Sequence, residues 1–193
     1  MFVRALARRM ETGLTVQGVP TSVKTAELAR ELSVPLTTLD EIERIDIDVD
    51  GADEVDPNLD LIKGHGGALL RERVVASISD VFVVIVGEEK LVPHLGAKMS
   101  VPVEVVPFAV PVVRTRLRDL GASVDLRMQD DEPFESDNGN QILDARFARI
   151  DEPGELVKRI DELPGVVDNG LFIGMADLVL VHGDAGFREL KHS

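Results

Sequence analysis

Apolar and polar residues follow two different periods along this chain. Apolar residues at helical spacing predict helices over residues 1–10, 21–32, 68–79, 111–120 and 153–163. Alternation, or a short apolar run, predicts strands over residues 14–18, 45–50, 81–86, 101–106, 123–128, 141–145, 166–173 and 176–182. In the helix at 68–79, the side chains expected to face the core are Leu70, Val74, Val75 and Ile78.

The order of these elements predicts an α/β fold with two domains. Strands alternate with helices through the first hundred residues, as in a Rossmann-like, mainly parallel sheet whose central strand is the apolar run at 81–86. From about residue 100, the order β-α-β-β-α-β predicts a ferredoxin-like α+β domain. The last strand, at 176–182, is expected to return to the first sheet. We therefore expect an α/β catalytic domain of residues 1–98 plus 172–193 and a ferredoxin-like domain of residues 99–171.

Composition excludes several classes of function. The 193-residue chain has a net charge of −14, which would repel nucleic acid. It has no cysteine, and no apolar run reaches the roughly 18–20 residues that a membrane span needs. The first ten residues include three arginines but no signal-peptide cleavage pattern, so we expect a cytoplasmic protein. If such an acidic chain binds an anionic substrate, its few basic residues must be concentrated at the site.

Two aspartates follow the strand predicted at 45–50. Asp50 ends this strand, and Gly51 allows a sharp turn toward Asp53. Both carboxylates would then lie at the carboxyl edge of the sheet, where α/β folds bind ligands. The same residue types are common turn formers, and this purely structural explanation stays open. The run of aspartates matches part of a calcium-binding loop, but Pro57 stands where a bidentate glutamate is required, so no metal site is predicted.

A glycine-rich loop, Lys63-Gly-His-Gly-Gly, precedes the helix predicted at 68–79. Its backbone N–H groups and its lysine form a cradle suited to an anion or an enolate. His65 lies between glycines and is expected to contact the substrate rather than to transfer protons. Glu72, in the first turn of the helix, could reach a ligand held there and act as a general base, although an isolated helix glutamate is more often simply exposed. Lys90 alone indicates a surface lysine.

These segments are similar to the ribose-5-phosphate isomerase A family. The matching blocks, which span nearly the whole chain, are Asp50-Gly-Ala-Asp-Glu, Lys63-Gly-His-Gly-Gly-Ala, Leu70-Arg-Glu-Arg, Val101-Pro-Val-Glu-Val, Asp137-Asn-Gly-Asn, Pro164-Gly-Val-Val and Gly170-Leu-Phe. The first three are specific, and the others mainly support the fold. The resemblance implies that a homodimer or homotetramer interconverts ribose 5-phosphate and ribulose 5-phosphate through an enediol, without metal or cofactor, in the non-oxidative branch of the pentose phosphate pathway.

The resemblance also implies roles for individual residues. Glu72 would be the base that moves the proton between C2 and C1. Asp50, Asp53 and Lys63 would assist ring opening and stabilise the charge on O1 and O2. The residues that would hold the substrate are Asp50, Gly51, Ala52, Asp53, Lys63, Gly64, His65, Gly66 and Lys90.

The sequence departs from the family at its beginning. Family members usually begin with a strand that leads into a Gly-x-Gly-Ser/Thr turn around the substrate phosphate, whereas residue 1 lies inside the helix predicted at 1–10. We expect a start site assigned too far downstream, or a truncated chain, rather than a natural variant. A chain that truly began here would keep its proton-transfer residues but lose much of its activity, because remote phosphate binding supports chemistry at the reacting carbons.

Two other functions are compatible with the sequence. A sugar-phosphate-sensing module of the same fold would bind its ligand without turnover. A coenzyme A transferase of related architecture would form a covalent adduct on a glutamate. The combination of Asp50, Asp53, Lys63 and Glu72 favours the isomerase, because a sensor does not need a full set of acid–base groups.

Overall fold

The structure is a computed structural model that describes residues 2–184 and 186–192. The α-helices in this part of the chain are α1 Phe2–Met10, α2 Val23–Glu31, α3 Leu69–Ser77, α4 Val110–Asp119 and α5 Pro153–Asp161. The strands are β1 Asp48–Asp50, β2 Glu54–Val55, β3 Leu61–Ile62, β4 Phe82–Gly87, β5 Val101–Val105, β6 Ser123–Leu126, β7 Met128–Gln129, β8 Glu132–Pro133, β9 Gln141–Arg146, β10 Val166–Asn169, β11 Leu171–Phe172, β12 Leu178–Gly183 and β13 Gly186–Leu190. Among the described residues, no helix is long and apolar enough to cross a membrane.

The chain divides into two units, residues 1–45 and residues 46–193. The first unit contains α1 and α2. Ser22 caps α2, because its Oγ accepts a hydrogen bond from the Thr25 N–H at 3.1 Å. The strand predicted at 14–18 is wrong, since only Gly18 pairs, in a single parallel bridge with Leu36. Apolar alternation over five residues does not supply the partner that a strand needs along its length.

The second unit contains a mainly parallel sheet with the order β1-β4-β12-β13. The inner strand β4 pairs in parallel with β1 on one side and with β12 on the other, while β13 is an antiparallel edge strand. Four of the six residues of β4 are buried, as predicted for a strand covered on both faces. The return of the last predicted strand to this sheet is confirmed by β12.

A second sheet has the order β10-β5-β9-β6, with every neighbouring pair antiparallel. Its strands and the helices α4 and α5 follow one another as β-α-β-β-α-β, the order of a ferredoxin-like unit. Val113 and Leu117 of α4 and Ile160 of α5 are fully buried in the core of this sheet. The predicted fold class, α/β with a Rossmann-like sheet and a ferredoxin-like second sheet, is confirmed. The domain boundaries between residues 98 and 99 and between residues 171 and 172 stay predictions.

The single strand predicted at 166–173 is instead two strands in different sheets. β10 pairs with β5, whereas β11 pairs with β3, which pairs in turn with β2. Gly170 separates them: its N–H donates to the Pro102 carbonyl at 2.7 Å, and its carbonyl accepts from the Lys63 N–H at 2.9 Å. The break therefore fixes the backbone of Lys63, which directly follows β3.

The buried face of helix α3 matches the predicted one only at Val75. Its buried residues are Leu69, Val75 and Ala76, whereas Val74 and Ile78 are exposed. The polar residues 71–73 also turn toward the protein and make long-range contacts, so the face of this helix cannot be deduced from its apolar positions alone.

Candidate active site

Asp50 is the last residue of β1 and lies at the carboxyl end of the parallel sheet. Its Oδ1 accepts a hydrogen bond from the Gly51 N–H at 2.7 Å, which closes the turn after the strand. Its Oδ2 lies 2.7 Å from the Nζ of Lys63. The turn residue Gly51 also offers its carbonyl oxygen to the same ammonium group. The first candidate carboxylate is thus held in place by one N–H group and one cation.

The Lys63 ammonium lies at the centre of the candidate site. Only 3% of its side chain is exposed, and it contacts Asp50, the Gly51 carbonyl and Glu72. Its Nζ also lies 5.5 Å from the centre of the Phe172 ring, on β11. Burial alone would lower the pKa of Lys63, but the charges of Glu72 and Asp50 outweigh burial and raise this pKa. Lys63 therefore remains a cation over the whole neutral range.

Glu72 lies in the first turn of α3, where an N-terminal helix dipole favours a carboxylate. Its Oε2 is 3.3 Å from Lys63 Nζ, an ion-pair distance, but it receives no hydrogen bond of ordinary geometry. Its side chain is 14% exposed. Burial, followed by the repulsion of Asp50 and Asp53 and opposed by Lys63, raises the pKa of Glu72 to about 7. A carboxylate of this pKa can both accept and release a proton near neutral pH.

Asp53 contacts the glycine loop rather than the ammonium. Its Oδ2 accepts a hydrogen bond from the His65 N–H at 3.1 Å. The His65 ring is tied to the Ser100 carbonyl through Nε2, also at 3.1 Å. The loop itself is a tight turn, closed by a 3.0 Å bond from the Gly67 N–H to the Gly64 carbonyl, and both glycines have positive φ angles. Asp53 and the loop therefore form one hydrogen-bonded wall of the candidate site.

Three further predicted contact residues differ in their placement. Gly66 is exposed, with nothing within 4 Å of the position where a Cβ would lie. Ala52 is half-buried and packs against the core of the parallel sheet. Lys90 ends a short 3-10 turn after β4, and its ammonium makes no hydrogen bond or ion pair within the described part of the chain. The structure does not bring Lys90 into contact with the group around Lys63.

The sequence did not single out two charged residues that adjoin this group. Asp48 lies two residues before Asp50 on β1, and burial, together with the nearby charge of Asp50, raises its pKa to about 6. Arg127, from the segment between β6 and β7, donates to the carbonyls of Gly64 and His65. The period-two pattern of β1 could have indicated Asp48. Nothing near Arg127 in the sequence indicates that it meets a loop more than sixty residues away.

Glu54 is a third residue that sequence reasoning left without a role. It is fully buried and directly follows Asp53 in the chain. Its carboxylate accepts hydrogen bonds from three backbone N–H groups of one segment, those of Gly96, Lys98 and Met99. These bonds, of 2.6 to 2.7 Å, hold the segment after Lys90 against β2. Glu54 therefore shapes the surroundings of the site without reaching its centre.

Among the residues that the structure describes, no group of three or more His, Cys, Asp or Glu side chains is arranged to hold a metal ion. The carboxylates of Asp50 and Glu72 both contact the Lys63 ammonium.

Comparisons with known proteins identify the family. The family described as ribose 5-phosphate isomerase A (phosphoriboisomerase A) matches residues 17–186. Ribose-5-phosphate isomerase A of Thermosynechococcus vestitus is 46% identical over 98% of this chain and 84% of its own length. The protein of the same name from Thermomicrobium roseum is 48% identical over 100% of this chain and 82% of its own length.

Solved structures agree with these sequence matches. A D-ribose-5-phosphate isomerase in complex with phospho-erythronic acid superposes with a TM-score of 0.97 at 42% identity, and the match covers 99% of this chain and 85% of that one. Ribose 5-phosphate isomerase A from Methanocaldococcus jannaschii gives a TM-score of 0.94 at 45% identity, with the same coverage of 99% and 85%. With the family matched over most of its length by sequence and by fold, this chain belongs to the ribose 5-phosphate isomerase A family.

Proposed function

We propose that this protein is a ribose-5-phosphate isomerase, which interconverts ribose 5-phosphate and ribulose 5-phosphate. The proposal rests on one observation: the carboxylates of Asp50 and Glu72 both contact the buried ammonium of Lys63. The relatives that bear this name, and the matching family, support it. Neither the sensing module nor the coenzyme A transferase receives support from these comparisons.

Glu72 is the base of the proposed reaction. In the open-chain aldose, it takes the proton from C2, which leaves an enediolate with its charge on O1. The O2 hydroxyl proton then passes to O1, and Glu72 returns its own proton to C1, which forms the ketose. The pKa of about 7 suits both steps, because the group must be a carboxylate for the first and a carboxylic acid for the second. The reaction is an intramolecular oxidoreduction: C1 is reduced, C2 is oxidised, and no external electron acceptor takes part. The mechanism itself therefore requires no redox cofactor.

Lys63 and Asp50 stabilise the charge that develops during this transfer. The raised pKa of Lys63 keeps it cationic, and its burial strengthens its attraction for a nearby oxyanion. Asp50 orients the ammonium at 2.7 Å and is available to exchange protons with the sugar hydroxyls. We assign charge stabilisation at O1 and O2 to Lys63, and assistance in ring opening to Asp50 and Asp53.

The substrate contacts belong to the turn after β1 and to the glycine loop. The turn after β1 contributes Asp50, Gly51, Ala52 and Asp53. The glycine loop contributes Lys63, Gly64, His65 and Gly66. We add Lys90, whose ammonium has no protein partner in the described residues and is free to meet an anionic group. The proposal includes a homodimer or homotetramer. It also includes a cytoplasmic location, because sugar phosphates are charged metabolites that do not cross bilayers unaided.

An activity assay tests the proposed base. Purified protein is given ribose 5-phosphate, and ribulose 5-phosphate is measured for the wild type and for Glu72→Gln. We expect the substitution to reduce kcat by about 10²–10⁴-fold, the usual contribution of a general base. In D₂O, the wild type should incorporate deuterium into the product, and the variant should not.

Glu155→Gln is the matched control for this experiment. Glu155 is also a first-turn helix glutamate, on α5, but it is exposed, and among residues 2–184 and 186–192 its carboxylate pairs only with Lys158. Its substitution should leave kcat unchanged. An active protein whose kcat is unchanged by both substitutions would exclude Glu72 as the base. A folded protein with no detectable turnover at all would contradict the isomerase itself, because a weakened phosphate grip lowers activity without removing the proton-transfer residues.

A further inference from the structure

Arg127 approaches the proposed substrate loop from the ferredoxin-like sheet. It lies between β6 and β7, and its side chain is only 12% exposed. Both of its backbone groups are fixed: its N–H donates to the Ile142 carbonyl at 2.8 Å, and its carbonyl accepts from the Phe134 N–H at 2.9 Å. The base of the side chain is therefore held by the sheet and by the β7–β8 hairpin.

The guanidinium plane of Arg127 is set by Asp144 on β9. Nε donates to Oδ2 at 2.9 Å, and Nη2 donates to Oδ1 at 2.6 Å, which is a two-point pairing. The ring of Phe134 lies 5.8 Å from the guanidinium carbon. A side chain so held has little freedom to turn, and its remaining nitrogen, Nη1, points in a defined direction.

That nitrogen binds two successive carbonyls of the loop. Nη1 donates to the Gly64 carbonyl at 2.9 Å and to the His65 carbonyl at 3.0 Å. In a trans peptide, the C=O and N–H bonds point in opposite directions. The two carbonyls that face Arg127 therefore turn the N–H groups of His65 and Gly66 away from it.

These two N–H groups have different surroundings. The His65 N–H donates to Asp53 Oδ2 at 3.1 Å. The N–H of Gly66 has no partner in the portion of the chain that the structure describes, and the space around this glycine is open. Arg127 thus directs one peptide group toward a proposed catalytic carboxylate and leaves the next one free for a ligand.

We propose that Arg127, locked by Asp144, is a positioning residue that orients the Gly64–Gly66 peptide groups for substrate binding. The inference rests on the proposed function of the loop. The paired geometry explains why the position suits arginine and not lysine: a single ammonium cannot span a carboxylate edge and two carbonyls at once. The ferredoxin-like sheet, which contains no proposed catalytic residue, in this way contributes to the geometry of the site.

The test uses Arg127→Lys, which keeps the charge but loses the fork, and Asp144→Asn, which removes one acceptor of the two-point pairing. Both variants are assayed for kcat and for the KM of ribose 5-phosphate, and the dissociation constant of phospho-erythronic acid is measured by calorimetry. For Arg127→Lys, we expect KM and this dissociation constant to rise together by about tenfold or more, as expected for misplaced binding groups, with a smaller change in kcat. Asp144→Asn should act in the same direction.

The pH profile separates positioning from a change at the base. The Glu72 pKa is set by burial, Lys63, Asp50 and Asp53, so the acidic limb of kcat should stay at the wild-type pH in both variants. Arg149→Lys, in the exposed pair of Arg149 with Asp151, is the control and should leave every parameter unchanged.

Each outcome decides the question. The proposal would be overturned if a folded Arg127→Lys protein kept the wild-type KM and the wild-type affinity for phospho-erythronic acid. It would also be overturned if the substitution lowered only the amount of active enzyme and left KM unaltered. If Arg127→Lys does not fold, the result for Asp144→Asn stands in its place. A wild type that binds phospho-erythronic acid without turnover contradicts the isomerase but still tests Arg127 through binding, and a wild type that does neither overturns both.

Discussion

Lys63 is the residue on which the candidate site depends. Two carboxylates compete for one ammonium, so the group as a whole is negative. The free-energy cost of ionisation is therefore larger for the carboxylate that is less well solvated. Glu72 is 14% exposed and lacks a well-formed hydrogen bond, whereas Asp50 is 29% exposed and has the Gly51 N–H as well as Lys63. The difference explains why the pKa of Glu72 rises, and it separates the proposed base from the carboxylate proposed to orient Lys63.

A pH profile follows from this difference. We expect kcat/KM to fall about tenfold per pH unit below about pH 7, because Glu72 must be ionised to accept the C2 proton. The substrate phosphate also titrates, near about pH 6. Asp50→Asn distinguishes the two groups, since it removes a negative charge that raises the Glu72 pKa and should move the limb to lower pH. A limb that stays in place in this variant would belong to the substrate.

At the scale of elements, two arginines near the N-terminus of α3 fix this helix to distant segments of the chain. Arg71 donates to the Asn138 side chain at 2.9 Å and to the Asp137 carbonyl at 2.6 Å. Arg73 pairs with Asp168 at 2.7 Å and lies 4.1 Å from the centre of the Phe172 ring. The helix therefore holds Glu72 through its polar neighbours, which a search for apolar positions does not reveal.

The junction between β10 and β11 provides a test at this scale. A Cβ on Gly170 would lie 2.7 Å from the Pro102 Cδ and closer still to the Lys63 carbonyl oxygen. Gly170→Ala should therefore reduce the free energy of unfolding by about 1–3 kcal/mol and lower kcat, because the backbone of Lys63 must move. Thermal unfolding and the isomerase assay measure the two effects.

Gly154→Ala is the control for this substitution. Gly154 lies at the start of α5 with nothing near its Cβ position and without a positive φ angle, so its change in stability should stay within about 0.5 kcal/mol. Equal effects of the two substitutions would show that the close packing at Gly170 has no special importance.

At the scale of the whole molecule, buried acids oppose folding at neutral pH. Burial raises the pKa of Asp48 and of Asp168 to about 6, and that of Glu72 to about 7. Between about pH 4 and pH 7, the folded chain thus binds more protons than the unfolded chain, so its stability decreases as the pH rises through this window. The net charge of −14 acts in the same direction.

Urea unfolding between pH 5 and pH 7 tests this linkage, at a salt concentration high enough to screen the net charge. Glu72→Gln should flatten the decline by on the order of 2 kcal/mol, since each pKa unit corresponds to about 1.4 kcal/mol. The exposed Glu155→Gln should leave the slope unchanged. Equal slopes in the wild type and Glu72→Gln would show that Glu72 titrates normally in the folded protein.

The predictions that succeeded rest on local signals. The positions of α2, α4 and α5, the buried strand β4 and the β-α-β-β-α-β order could be read because short-range patterns determine them. The strand predicted at 14–18 and the single strand at 166–173 were wrong, and the predicted inward face of α3 was right only at Val75. Each of these depends on a distant partner: Leu36 for the first, β3 and β5 for the second, and Asp168 and Asn138 for the third.

The amino-acid sequence by itself determined the family, the order of elements and the identity of the candidate acid–base groups, because motif spacing and apolar period are properties of neighbouring residues. Only the tertiary structure decided that Lys63 is shared by Asp50 and Glu72, that Asp53 binds the loop instead, and that Arg127 holds that loop from another sheet. The physical reason is that burial and charge coupling act through space. A pKa near 7 for one glutamate exists only where the folded chain removes water and brings its neighbours within a few ångströms.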